Sequence, residues 1–132
     1  MNDSRIVEKI TAYIEAHLEE DLSLDRISGE LHYSRFYISR LFAEKAGCTI
    51  YKYIQGRRLT LAAGKLAETK KPIVEIAYEA GYTSQQAFTL AFRRVYFCTP
   101  LEYRKRGVFY PKQEKLGMRA GREYFCGGKM AA

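Results

Sequence analysis

Ile6, Ile10, Ile14 and Leu18 recur four residues apart, flanked by Val7, Tyr13 and His17, between Ser4 and the acidic run Glu19-Glu20-Asp21. A period near 3.6 predicts an amphipathic helix of about four turns with Ser4 as its N-cap. Ser23 caps a second, shorter helix with Leu24, Ile27 and Leu31 on one face, and His32-Tyr33 makes the turn after it. Ser34 opens a third helix, with Ile38, Leu41, Phe42 and Lys45 along one stripe and Arg35, Phe36, Ser39 and Arg40 along the other; Gly47 ends it.

Thr49 caps the next helix, which runs through Tyr53, Ile54, Leu59, Leu61, Ala62 and Leu66 to about Thr69. Its apolar residues spread beyond one stripe, as a connector packing against modules at both ends requires. Gly56 and Gly64 each cost about 1 kcal/mol relative to alanine, so this helix relies on packing or uses the glycines for close approach. Lys70-Lys71-Pro72 breaks the pattern. Pro72 suits the first position of a fifth helix with Ile73, Ile76, Ala77 and Ala80 inward, and Gly81 is the turn residue. A sixth helix carries Phe88, Ala91, Phe92 and Val95 on one stripe and Gln85, Gln86, Thr89 and Arg93 on another; Thr83 and Gln86 fit a capping box at its start. Thr99-Pro100-Leu101-Glu102 is a second capping-box signature and opens a last helix that frays near Arg106.

The chain repeats itself. Shifted by 50 residues, Ser34 falls on Ser84, Ile38 on Phe88, Ser39 on Thr89, Phe42 on Phe92, Cys48-Thr49 on Cys98-Thr99 and Tyr53 on Tyr103; before the turn an offset of 49 pairs Tyr33 with Tyr82. This is a duplicated helix-turn-helix. The expected fold is therefore all-α, about seven helices, with helix-turn-helix subdomains over 1–48 and 70–106 joined by a linker helix over 49–69. Residues 107–132 hold five glycines, Pro111, five Lys/Arg and scattered aromatics without a period. They read as a mobile tail, or as the remnant of a further domain beginning with Phe109, Tyr110, Tyr124 and Phe125.

Charge sharpens this picture. Residues 1–33 hold 3 Lys/Arg against 8 Asp/Glu, net −5, and residues 34–132 hold 19 against 7, net +12. A body that basic suits a polyanion. No apolar run reaches the ~18 residues of a membrane span and the N-terminus lacks a signal-peptide pattern, so a soluble, cytoplasmic protein is expected. Cys48, Cys98 and Cys126 lie too far apart for zinc ligand pairs and read as reduced thiols packed as small hydrophobes. No Cys/His/acid constellation or phosphate loop supports an enzyme, and no metal or cofactor is implied. Geometry favours duplex DNA: a linker over 49–69 would be about 31 Å long, near the ~34 Å of one turn of B-DNA, so one chain can offer two helices to successive major grooves.

With Tyr33-Ser34, Arg40-Leu41-Phe42 and Gly47 in the first copy, Arg57-Arg58-Leu59 in the linker, and Ile76-Ala77, Gly81, Ser84-Gln85-Gln86, Phe92, Thr99-Pro100 and Tyr103-Arg104 in the second, the chain resembles the DNA-binding domain of AraC/XylS transcription regulators, particularly the stand-alone MarA, SoxS and Rob type. The resemblance covers roughly residues 6–106. It implies a sequence-specific regulator, usually an activator, that binds promoter DNA as a monomer and contacts RNA polymerase. Two alternatives stay open: the DNA-binding half of a ligand-controlled regulator whose C-terminal effector domain is absent, and a non-specific architectural DNA binder. Departures from the family pattern are Phe36 at a groove-facing tryptophan, Ser39 at a glutamine, Leu90 at an arginine, His32 and Phe97 at glycines and Ile50 at a proline.

The candidate base-reading residues are Arg35, Phe36, Ser39 and Arg40 in the first copy and Gln85, Gln86, Thr89 and Leu90 in the second. The resemblance puts Arg40 at the main base-reading position, where arginine can bond O6 and N7 of guanine; glutamine can pair with adenine. Phe36 can meet a thymine methyl or pack on a neighbour, and Gln86 can read a base or cap its own helix. Leu90 offers only apolar contact. The candidate phosphate contacts are Ser34, Lys52, Ser84, Arg93, Arg94, Thr99, Arg104 and Lys105, together with backbone N–H groups at helix starts. Arg57, deep in the connector, reads as structural.

Overall fold

The structure of the protein, a computed structural model, describes residues 3–116. Its helices are α1 (Asp3–Ala16), α2 (Leu24–Leu31), α3 (Arg35–Ala46), α4 (Ile50–Glu68), α5 (Ile73–Glu79), α6 (Gln85–Tyr96) and α7 (Pro100–Arg106), with no strand among the described residues. The boundaries follow from side-chain caps that satisfy orphan backbone N–H groups. Ser23, Ser34, Thr49, Ser84 and Thr99 accept from the N–H of Arg26, Tyr37, Lys52, Ala87 and Glu102 at 3.0 to 3.1 Å. Two expected caps differ. Ser4 lies inside α1, and α6 is capped by Ser84, so the box between Thr83 and Gln86 does not form.

Two hydrophobic cores sit at the two ends of α4. The first gathers Ile6, Ile10, Ile14, Ile27, Ile38, Phe42 and Tyr53, and the second Leu59, Leu66, Ile76, Phe88, Phe92 and Tyr103. Residues paired by the 50-residue offset occupy matching places: Ile38 and Phe88, Phe42 and Phe92, and Tyr53 and Tyr103 are buried, each in its own core. In the second core Phe92 stacks on Tyr96 at 4.6 Å between ring centroids, and Tyr103 meets both edge-on. Such pairs add about 0.5 to 1.5 kcal/mol each beyond burial. Cys98 is a buried free thiol, as expected. Cys48, also buried, is disulfide-bonded, so the expectation of reduced thiols does not hold there.

The 19 residues of α4 give it a length of about 28 Å. Its arginines and lysine tie it to both ends of the molecule. Arg57 grips the Glu15 carboxylate through Nε and Nη2 at 2.7 and 3.0 Å, and Arg58 donates to the carbonyls of Leu18 and Glu20 at 2.9 and 2.6 Å. Lys65 bridges Glu19, before α2, and Glu79, at the end of α5. Arg57 is thus structural, and bidentate pairing with satisfied donors is what keeps a buried guanidinium tolerable.

Beyond α7 the structure departs from the expected mobile tail. Residues 107–116 return along α4, with Gln113 and Leu116 buried. The reason is a set of partners with no sequence period: the N–H groups of Tyr110, Gln113 and Leu116 donate to the hydroxyls of Tyr103, Thr60 and Tyr53. The rest of the expected tail, with Tyr124, Phe125 and Cys126, lies outside the described residues.

Candidate nucleic-acid interface

The sequence of α3 folds as a helix because Ser34 caps its start and Gly47, at φ 81°, ends it in the left-handed conformation. Ile38, Leu41, Phe42 and Ala46 anchor its inner face. The opposite face is thereby turned to solvent. Phe36 is 92% exposed, which leaves the alternative of packing on a neighbour unfulfilled. Arg40 is exposed and makes no ion pair or hydrogen bond among the described residues. Arg35 is exposed but pairs with Asp25 at 3.1 Å; both groups lie in solvent, where such a pair is weak and readily exchanged for a phosphate. Ser39 is half-buried and lines an apolar groove with Leu22, Leu24, Ile50 and Tyr51.

In α6 the buried Phe88, Phe92 and Tyr96 turn the other face outward. Gln85, Gln86, Thr89, Leu90 and Arg93 line one open surface depression, which brings all four candidate readers of the second copy together with a basic residue. Because Ser84 holds the cap, the Gln86 side chain is exposed and uncommitted among the described residues. Leu90 is 55% exposed on this face. The repeat places Arg40 of α3 where α6 has Leu90, so the first face carries a cation and an aromatic ring, and the second carries amides and an apolar side chain.

The candidate phosphate contacts divide. Lys52, Arg93, Arg94 and Lys105 are exposed, and their side chains hold no hydrogen bond or ion pair among the described residues. Ser34, Ser84 and Thr99 use their oxygens as caps, which leaves each hydroxyl proton to donate outward. At Thr99 the box is complete: its N–H donates to the Glu102 carboxylate at 2.8 Å and holds that carboxyl below its usual range. Arg104 differs from these in being partly committed within the fold. Its Nε donates to the carbonyl of Leu66 at 3.0 Å and its Nη2 to that of Lys71 at 2.7 Å, pinning α7 across the corner between α4 and α5. The carbonyls at the end of α4 have no helical partner, and a guanidinium fork satisfies one of them while linking it to the next turn.

The turns before the two outward helices share a constraint. His32 has φ 62° and Gly81 φ 90°, at positions paired by the 49-residue offset. A Cβ on Gly81 would stand 2.9 Å from Nη1 of Arg58, the movable end of a side chain, so the second turn needs glycine for its backbone conformation first. The C-caps of α3 and α6, Gly47 and Phe97, are both left-handed. Tyr82, next to Gly81, buries its hydroxyl without a partner among the described groups. Phe97 stands where the family pattern has glycine, and the 50-residue offset sets it against Gly47.

No group of residues among those described could hold a metal ion, and no described helix is long and apolar enough to cross a membrane. The profile of a family described as a helix-turn-helix domain matches residues 27–106. Regulatory protein SoxS of Escherichia coli is 39% identical over 106 residues, 80% of this chain and 99% of SoxS. The right origin-binding protein of Escherichia coli is 34% identical over 119 residues, 90% of this chain and 40% of that protein. A crystal structure of an AraC-type transcriptional regulator from Chromobacterium violaceum superposes with a TM-score of 0.73 at 32% identity, covering 77% of this chain and 91% of that one.

Proposed function

The chain belongs to the AraC-type helix-turn-helix transcription regulators that include SoxS, sequence-specific DNA-binding proteins rather than enzymes, and from that premise we propose how it reads DNA. Helices α3 and α6 enter successive major grooves on one face of a duplex, with the chain acting as a monomer on an asymmetric site of about two turns. The observation that carries this reading is the division of the side chains. Arg35, Phe36 and Arg40 on α3 and Gln85, Gln86 and Leu90 on α6 are exposed, while Arg57, Arg58 and Arg104 are tied into the connector. Arg40 is the main base reader, through guanine O6 and N7; Phe36 meets a thymine methyl or sugar. Gln85, Gln86 and Thr89 read base edges in the second groove, and Leu90 adds apolar contact. Ser34, Lys52, Ser84, Arg93, Arg94, Thr99 and Lys105 clamp the strands through phosphate oxygens. Arg104 is left out of this set because two of its donors are already held by the carbonyls of Leu66 and Lys71.

On a promoter the bound chain contacts RNA polymerase, in most cases to activate transcription in the bacterial cytoplasm. Family membership supports this step.

Selection of binding sites from a random duplex pool, followed by competition against random DNA, tests the reading. The expected result is a single asymmetric motif with two half-sites about 10 base pairs apart, bound roughly 10³-fold or more tightly than random duplex at one salt concentration. Equal affinity for every sequence would leave an architectural DNA binder as the better description.

A further inference from the structure

Residues 107–116 lie on neither outward helix, yet they join the two cores. After Gly107, at φ 67°, the chain turns back and runs antiparallel to α4. Phe109, half-buried, packs against the second core and over Gly64, where an added Cβ would stand 3.6 Å from the ring. Leu116 belongs to the first core. Between them Gln113, fully buried, donates its N–H to Thr60 Oγ1 at 2.9 Å and accepts from Arg57 Nη1 at 2.7 Å. Gly64, Thr60, Arg57 and Tyr53 follow one another at steps of four, three and four residues, one stripe of α4. The segment therefore covers about 16 Å of the connector.

Its two end fastenings are equivalent. Tyr103 accepts from the N–H of Tyr110 at 2.7 Å, and Tyr53 accepts from the N–H of Leu116 at 3.0 Å. These tyrosines are the same position in the two copies of the repeat. Each helix-turn-helix unit thus offers its own copy of one hydroxyl to a single stretch of chain. Burial pushes the Tyr53 hydroxyl up to about 12, which keeps it neutral and able to accept a hydrogen bond at any ordinary pH.

We propose that residues 107–116 are a strap that holds the two outward helices at a set spacing and angle, so that Phe109, Gln113 and Leu116 are positioning residues for DNA recognition. A lone helix resists bending and twisting only through its own backbone ladder. A second chain fastened to it at both ends and in the middle, off its axis, opposes both. The proposal rests on the reading in which α3 and α6 bind successive grooves.

The test measures affinity for the selected duplex and for the same duplex with two base pairs inserted between the half-sites. The unaltered chain is compared with the triple variant Tyr53→Phe, Thr60→Val, Tyr103→Phe, which removes the three side-chain oxygens that accept from the strap while keeping each side chain's volume. A second variant, Phe109→Ala with Leu116→Ala, loosens the strap from its own side and serves if the first does not fold, as judged by helical circular dichroism. The insertion is expected to weaken the unaltered chain by about 10²-fold, because geometry then forbids simultaneous engagement, and to weaken a folded variant by less than about 10-fold. An equal insertion penalty in the unaltered chain and a folded variant overturns the strap. No insertion penalty in the unaltered chain overturns the two-groove reading itself, and the strap with it. A destabilised but still rigid protein would lose affinity for both duplexes in the same ratio, which separates positioning from general stability.

Discussion

Arg40 and Arg104 bring the same guanidinium to opposite uses. Arg40 stands exposed on the outer face of α3 without a partner among the described residues, while Arg104 donates to two backbone carbonyls. Arg40→Ala is expected to leave thermal stability within about 0.5 kcal/mol of the unaltered chain and to reduce discrimination between the selected duplex and its guanine-substituted form by about 1 to 3 kcal/mol. Arg104→Ala is expected to lower stability by about 1 to 3 kcal/mol, since two carbonyls lose a charged donor, with sequence preference retained. Urea denaturation alongside titration of both duplexes distinguishes them. A stability loss in Arg40→Ala equal to that in Arg104→Ala would remove the distinction. Both arginines lie in motifs that the sequence brings forward equally, and only their neighbours in space tell them apart.

At the scale of elements, the ends of helices are the most informative feature. Three of the turns that close a helix use glycine at positive φ, Gly47, Gly81 and Gly107, whereas α2 and α6 close on His32 and Phe97 at φ 62° and 60°. A side chain in that conformation costs about 1 to 2 kcal/mol, and glycine's greater freedom in the unfolded chain takes back part of the difference. His32→Gly and Phe97→Gly should each raise stability by about 0.5 to 1 kcal/mol. Phe97 is the cleaner case because its ring is 67% exposed and loses little burial. The check is the midpoint of urea unfolding. A lower midpoint for Phe97→Gly would mean that the ring makes contacts worth more than the backbone strain.

At the scale of the molecule, ion pairs link the two halves. Lys65 reaches Glu19 at 3.0 Å and Glu79 at 2.7 Å, and Lys71 reaches Glu79 at 2.7 Å. Hydrogen bonds from Lys65 and then Lys71 hold the Glu79 carboxyl below its usual value, against a smaller opposing effect of burial. A carboxyl with a lowered folded pKa adds stability that is present above its unfolded value, about 4.3, and is lost as pH falls through the folded one. Glu79→Gln should therefore melt below the unaltered chain at pH 7, with the gap closing as the pH falls below the ordinary carboxylate range. A gap that stayed constant over that range would show that the charge contributes nothing. Binding to DNA should respond to salt as well: if 6 to 10 phosphates are neutralised, affinity falls by roughly 10³ to 10⁵ between 50 and 200 mM, and a flat response would sink the phosphate clamp.

The sequence by itself determined the helices, most of their caps and the duplication. Those depend on local chemistry: a hydroxyl three residues before an N–H, a glycine after the last turn, apolar residues at helical spacing. It also marked the outer faces of α3 and α6, because an inner stripe of Ile38 and Phe42, or Phe88 and Phe92, dictates which side chains face out. The tertiary structure alone decided that Arg104 is held by carbonyls while Arg40 is not, and where residues 107–116 go. Arg104 meets carbonyls 33 and 38 residues away in sequence, and the strap meets hydroxyls 53 and 63 residues away at Thr60 and Tyr53. Contacts of that range carry no period and no capping signature. A segment rich in glycine and charge therefore reads as loose until the surface that receives it has been built.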